Sequence, residues 1–536
     1  HFVNEMKLFP EIGHPVEFSI NIFGSKTEGT GFTTITHLYL SETLETCLSD
    51  SSSNALALSK KNEKGEWETR GSRSRIIKLD SQSLRKVAEI FGDYSETPKL
   101  PYFLSNQAFE VAKKFNGTAA NSVQRLASGK TAFVIDSMWH ETGAKKDGTI
   151  KELPNNETVF PQNTREVILN GPHLAVANPL FKCPRNPCLN KATWDLIDLV
   201  EQAEDYLPRV KYLPALEQTD YQKKISVVPW EKEGGRRFDE FFRLAYRAMV
   251  QISRERTLYS AIIPPSSAHT NIIQSIAFKA VKELIWFSGA FASLPIDYYV
   301  RLQNKGNLQP QLISQIPVPC FSDAQKIKLS ARTLVLNCLT NQYSSLWSKS
   351  WDQKFQNEKW STGIPQIDQD FFKNLTEDWT RNCALRSDLM RRQALVELDV
   401  IVAQAFGFTL DDLLFIYSTG FDVMKKYEQG AYYDQNGRIV FTPNSGGLKG
   451  AGLPGKPKQE EDISYAKNGI VCEQPLGFQD IKDMESGKVS KTFIDNTQPG
   501  GPQKRTIEYV APFFKMDREE DYRRAWKFFE EEKNEE

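Results

Sequence analysis

The stretch TLYSAIIPPSSAHTNIIQSIAFKAVKELIWFSGAFAS, residues 257–293, decides the fold class. Its first nine residues read as a buried strand stopped by Pro264 and Pro265, which have no N–H to give a sheet ladder. From His269 to Ser293 the apolar residues recur along what reads as one long helix. A strand feeding a helix is the unit of a mixed α/β fold. On the upstream side, RRFDEFFRLAYRAMVQI (236–252) puts Phe238, Phe241, Phe242, Ala245, Met249 and Ile252 on one stripe, which predicts another helix.

Further out, EFSINIFGSKTEGTGFTTITHLYL (17–40) alternates β-formers with polar residues and predicts strands, with another at Ser74–Lys78. QSLRKVAEIFG (82–92) predicts a helix ended by its glycine. Downstream, the capping box S-D-A-Q at 322–325 opens a helix, and Leu395, Leu398, Val402 and Ala405 mark a second one from Leu389 to Phe406. T-L-D-D at 409–412 caps a short helix ending near Tyr417. The glycines between Ser445 and Lys456 predict a mobile linker, and Tyr522, Trp526 and Phe529 predict an amphipathic terminal helix. The expected organisation is a mixed α/β region (1–160), an α/β unit (161–319), a helical spacer (320–430) and a C-terminal extension (431–536).

A chain of 536 residues is too long for one core, so several units are expected. Its 40% hydrophobic and 25% charged residues are those of an ordinary globular protein, without an apolar run long enough to span a bilayer. No membrane partner is expected. A net charge of −1 requires any nucleic-acid surface to be a local patch. The seven scattered cysteines predict free thiols in a reducing cytoplasm. The chain opens on His1 without a signal-like segment, which leads us to expect residues upstream.

GPHLAVANPLFKCPR (171–185) carries Asn178, Pro179, Leu180 and Phe181, one residue away from the Asn-Pro-Pro-Tyr/Phe motif that holds a flipped base beside a methyl donor. The cofactor turn such chemistry needs is absent: the glycines of IFGSKTEGTGF (22–32) run into strand-like sequence and not into a helix. His140, Glu141 and His173 stand outside any metalloprotease or nucleophile motif, and Cys183 and Cys188 lack zinc spacing. No catalytic residue and no metal ligand is therefore assigned, and Asn178 reads first as a turn.

Three segments carry a family resemblance: RLAYRAMVQISRERTLYSAIIPPSSAH (243–269), DYYVRLQNKGNLQPQLISQIPVP (297–319) and RRQALVELDVIVAQAFGFTLDDLLFIYSTGFDVMKKYEQGAYYDQNGRIVFT (391–442). In combination they resemble the C-terminal target-recognition and helical spacer region of type IIG and BREX-like adenine-N6 DNA methyltransferases of restriction-modification and phage-defence systems. The resemblance implies sequence-specific binding of double-stranded DNA. It also implies that S-adenosylmethionine sits on an associated methyltransferase domain or subunit and not on this chain, with a nuclease or other defence proteins as further partners. Two other readings stay open: a divergent methyltransferase built on Asn178 to Phe181, and a protein-binding scaffold of a defence complex.

Within that reading Asn304, Lys305 and Asn307 lie in a turn just before a helix with Pro310 in its first turn, where amides and a cation meet phosphate. Arg254 and Arg256 flank Glu255 and either enter a groove or pair with carboxylates. Lys182 and Arg185 follow an apolar strand at a loop, where base or phosphate readers are often placed. His269 either donates to a base edge or caps the next helix. Arg70, Arg73 and Arg75 form the densest positive cluster, a phosphate clamp or an exposed turn.

Overall fold

The structure is a computed structural model that describes all residues except 15, 25–30, 52–57, 59, 63, 94–101, 117–122, 127–131, 191, 232–234, 251–253, 444–451, 459–461 and 536. It mixes helices with several small sheets. Near the start, β1 (Gly31–Thr34) pairs antiparallel with β2 (Ile77–Asp80). The glycine-bearing turn expected at 25–30 lies outside the described residues. Asp80 then caps α1 (Ser81–Phe91) by accepting from the Ser83 amide at 2.7 Å, and Gly92 ends the helix at φ 62°. That positive φ is the left-handed stop that favours glycine.

The organising element is a four-stranded antiparallel sheet. Its strands are β3 (Phe133–Asp136), β7 (Arg243–Arg247), β8 (Ser260–Ile263) and β10 (Ile273–Phe278), in the order β8-β7-β10-β3. Between β3 and β7 the chain adds β4 (Ile168–Leu169) and the antiparallel pair β5 (Lys182–Pro184) and β6 (Trp194–Leu196). The two-residue β9 (Ala268–His269) pairs with β4 in parallel.

Two expected helices are corrected here. Residues 236–250 contain a single 3-10 turn at Phe238–Glu240 and the strand β7, and Leu244, Ala245 and Tyr246 are all buried. A strand covered on both faces loses its alternation, and in a short window its apolar residues imitate a helical stripe. Met249, assigned to that stripe, is 65% exposed, and Ile252 lies outside the described residues. Likewise the helix expected from His269 begins only at Val281, because Ile273–Phe278 is wholly buried strand.

After the sheet come α2 (Val281–Ala292), α3 (Leu294–Leu302) and the one-turn α4 (Pro310–Ser314), then α5 (Asp323–Asn337), α6 (Asp388–Ala405), α7 (Leu410–Gly420) and α8 (Asp422–Gly430). The predicted capping box forms: the Gln325 amide donates to Ser322 Oγ at 3.2 Å, and Ser322 N–H to Gln325 Oε1 at 3.0 Å. At α7 the Asp412 amide donates to Thr409 Oγ1 at 3.2 Å. The spacer is less helical than expected, since 351–387 holds only 3-10 turns and irregular chain. Gly289 lets α2 lie against α5, where a Cβ would strike Thr333 Oγ1 and stand 2.9 Å from Leu329 Cδ1.

Helix α6 is buried nearly all round, including its charges. Arg332 of α5 pairs with Glu397 at 2.6 Å and with Glu358 at 2.6 Å. The C-terminal helix α9 (Arg518–Glu535) docks by the predicted Tyr522, Trp526 and Phe529, all buried. Arg518 adds ion pairs to Asp399 (2.9 Å) and Glu428 (2.6 Å), and Arg392 one to Asp521 (2.6 Å). Burial pushes the Glu428 carboxyl up, but Arg518 and Arg392 outweigh it and hold its pKa below the usual range.

Between α8 and α9 lies a second four-stranded sheet that the sequence pattern did not suggest: β11 (Ser464–Lys467), β12 (Ile470–Val471), β13 (Lys488–Asp495) and β14 (Gln503–Val510), in the order β12-β11-β13-β14. It carries a core of its own around Tyr465, Phe478, Phe493 and Tyr509. The expected linker at 445–456 lies outside the described residues up to 451. Beyond that it is packed, with Leu453 3% exposed and the Gly452 amide donating to Tyr509 Oη at 2.5 Å.

Candidate nucleic-acid interface

The turn after α3 is built by its flanks. Asn304 takes a left-handed φ of 48°, with its backbone amide donating to Arg301 O at 3.1 Å. Gly306 O accepts from Val250 N–H at 3.0 Å, and Leu308 N–H donates to Ala248 O at 2.8 Å, so the turn is laced to the continuation of β7. Pro310 opens α4 as predicted. The result fixes the backbone and leaves Asn304, Lys305 and Asn307 exposed.

Arg254 joins this surface. It is exposed, and its carbonyl accepts from Arg301 Nη2 at 2.8 Å, which ties the 254–256 segment to the end of α3. Four of the predicted residues thus share one region: Arg254, Asn304, Lys305 and Asn307.

Arg256 points the other way. It is 5% exposed, pairs with the fully buried Asp297 at 2.7 Å and donates to Ala292 O at 2.8 Å. A guanidinium so engaged holds α2 and α3 together and does not reach a groove. His269 is also buried, in β9, with Nε2 2.7 Å from Ser275 Oγ and Nδ1 3.2 Å from Thr270 O. It caps no helix, because the next element in the chain is the strand β10. Burial, with Arg243 nearby, drives its pKa down to about 3, so it is neutral.

The arginine cluster divides in the same manner. Arg75 is 1% exposed and donates to the carbonyls of Arg70, Thr36 and His37. Arg70 and Arg73 are exposed, and Arg70 grips the buried Glu68 with Nε and Nη2. Lys182 does not follow a strand but is the first residue of β5, whereas Arg185 directly follows β5. Lys182 Nζ lies 5.4 Å from the Phe181 ring, and Arg185 makes a two-pronged contact with Asp195 of β6 at 2.7 and 2.8 Å. Asn178 closes a turn: its Oδ1 accepts from the Leu180 amide at 2.9 Å, so the oxygen that a base-flipping role would use is engaged locally.

Beside the exposed turn is a half-open cleft of about 100 Å³. Leu58, Lys60 and Tyr102 come to it from the N-terminal region, Tyr298, Arg301 and Asn304 from α3 and its turn, and Phe415, Gly420 and Asp422 from the α7–α8 junction. Arg301 is anchored by Gly420 O (2.5 Å), Arg254 O and Glu255 O. Among the described residues, Lys60 Nζ, the Asp422 carboxylate and the Asn304 side-chain amide make no hydrogen bond and no ion pair. Burial lowers the pKa of Lys60, with Glu17 and Asp422 opposing and Arg301 assisting. Sequence reasoning passed over Lys60, Tyr102 and Asp422. The one signal was Gly420, at the break between α7 and α8.

Among the described residues no group of three or more His, Cys, Asp or Glu is placed to hold a metal ion, and no helix is long and apolar enough to cross a membrane. Compared with known proteins, the chain matches no protein-family model and no curated protein.

Proposed function

We propose that this chain is the sequence-reading part of an adenine-N6 DNA methyltransferase system of restriction-modification or phage-defence type. Residues 161–319 serve as the target-recognition unit and 320–430 as its spacer. S-adenosylmethionine and methyl transfer belong to a domain or subunit outside these residues. The cytoplasm is the proposed compartment, which fits an odd, scattered set of seven cysteines.

The supporting observation is the 304–307 turn, where one cation and two amide side chains are exposed on a backbone tied at both flanks. Lys305 suits a phosphate, and Asn304 and Asn307 offer the paired donor and acceptor that read base edges. Arg254 lies alongside, and Arg70 and Arg73 offer further cations for the backbone.

The test is selection from a random-sequence duplex pool, followed by binding at several salt concentrations. One short sequence should be enriched, and log affinity should fall linearly with log salt. Binding that ignores sequence, or no binding at low salt, would reject the reading.

A further inference from the structure

The cleft beside the turn departs from the pattern of the molecule's interior. Fully buried charged groups elsewhere are engaged, among them Arg256 with Asp297, Arg332 with Glu397, Arg518 with Asp399, and Arg391 with the carbonyls of Leu336, Leu385 and Ala177. Polar side chains in a folded interior normally find partners, and convergent ones that do not are the mark of a ligand site. Here an ammonium and a carboxylate that are half-buried, Lys60 and Asp422, and the exposed amide of Asn304 face one cleft from three distant segments with no hydrogen bond or ion pair among the described residues.

Their chemistry narrows the ligand. A bare anion would suit Lys60 and Arg301 but leave Asp422 unmatched, and a bare cation would suit Asp422 alone. The occupant therefore carries an anionic group for Lys60 and N–H donors for the acceptor-only carboxylate. Tyr298, Phe415 and Leu58 supply an apolar wall for a flat ring. A carboxylate accepts from a base amino group, and an Asn amide meets a base edge with a donor and an acceptor.

We propose that this cleft binds a single nucleotide, with its phosphate on Lys60 and the amino-bearing edge of its base on Asp422 and Asn304. The inference goes beyond duplex reading and does not depend on it. The nucleotide is either free or an unpaired residue of a strand crossing the adjacent turn.

Calorimetric titration with deoxynucleoside monophosphates tests it. Those whose bases carry an amino group (adenine, cytosine, guanine) should bind at least about tenfold more tightly than thymidine monophosphate, the ratio expected for one charge-assisted hydrogen bond. Lys60→Met should weaken nucleotides to the level of the matching nucleosides. Asp422→Asn should erase the base preference. Neither side chain makes a hydrogen bond or ion pair among the described residues, so both variants should stay folded, with the melting temperature as the control.

If only a single-stranded oligonucleotide binds, with the same response to both variants, the proposal stands and the ligand is part of a strand. It is overturned if neither form binds, if the variants bind like the wild type, or if an aromatic amino acid binds in place of nucleotides. Binding of duplex and of nucleotide by the wild-type chain separates the two functional readings. Duplex binding with no nucleotide binding rejects the cleft alone, and the converse rejects the duplex reading alone.

Discussion

Replacing Arg332 by Met should be among the most damaging single changes in the helical region. Arg332 is fully buried, and its Nε reaches Glu397 at 2.6 Å, Nη1 reaches Glu358 at 2.6 Å and Lys328 O at 3.1 Å, and Nη2 reaches Lys359 O at 2.9 Å. Methionine keeps much of the volume but leaves Glu397, itself fully buried, without its cation. Three neutral donors remain on it: the Ser361 amide and hydroxyl, each at 2.7 Å, and Gln393 Nε2 at 2.9 Å. They soften the loss without cancelling a charge. Breaking a buried pair on one side costs about 3–5 kcal/mol, a fall in melting temperature of the order of 10 °C for a cooperative unit of ordinary domain size.

Calorimetry of Arg332→Met, Glu397→Gln and the double variant gives the coupling. The double variant should be less destabilised than the two single effects added, because Glu397→Gln removes the stranded charge and keeps an acceptor for Ser361. The effect also has a sign in pH. Burial already pushes the Glu358 carboxyl up against the opposing pull of Arg332, so removing Arg332 raises it further. The folded variant then takes up a proton before the unfolded chain does, and its deficit should shrink from pH 7.5 to pH 5. A loss of less than about 2 °C, or two single effects that simply add, would refute the claim that this pair is a matched buried charge.

His269 and His173, both buried, have pKa values driven down by burial to about 3 and about 4. Protons therefore bind the unfolded chain first, and stability should fall between about pH 6.5 and 4, by about 2 kcal/mol per histidine at pH 5. Melting curves that stay flat across that window, or imidazole NMR titrations with ordinary midpoints, would contradict it. Gly289→Ala should cost about 1–3 kcal/mol, since its methyl meets Thr333 and Leu329 on α5, and unchanged denaturant unfolding would mean that the α2–α5 approach is looser than described. Lys305→Ala should leave melting unchanged and lower the salt slope of duplex binding by about 0.9. Arg256→Ala should do the reverse, destabilising the fold by stranding Asp297, and a variant that is stable but deficient in binding would return Arg256 to the interface.

The helices at 81–91, 323–337, 388–405 and 518–535 were legible because local chemistry specifies them: a cap, an apolar face, a glycine stop. Strand β7 was not, because what buries its two faces comes from elsewhere in the chain, with Leu244 and Tyr246 in one apolar cluster and Ala245 in another. The same limit applies to charge. Nothing local distinguishes Arg256, committed to Asp297 across 41 positions, from Arg254, which is exposed. At the interface the Asn-Lys-Gly-Asn turn was readable from its own residues. The Lys60–Asn304–Asp422 convergence was not, since it exists only once three segments meet.

Asp198 ties the middle of the chain to its C-terminal sheet, accepting from Arg438 Nη1 at 2.6 Å and from Arg505 Nη2, across 240 and 307 positions. Closing a loop of that length from a free chain costs about 5 kcal/mol of entropy, whereas a largely buried ion pair returns little once the desolvation of both charges is subtracted. These contacts therefore cannot draw the two regions together. They form after the helical core has set both in place, which makes the Asp198 cluster a late event in folding and a reporter of its completion.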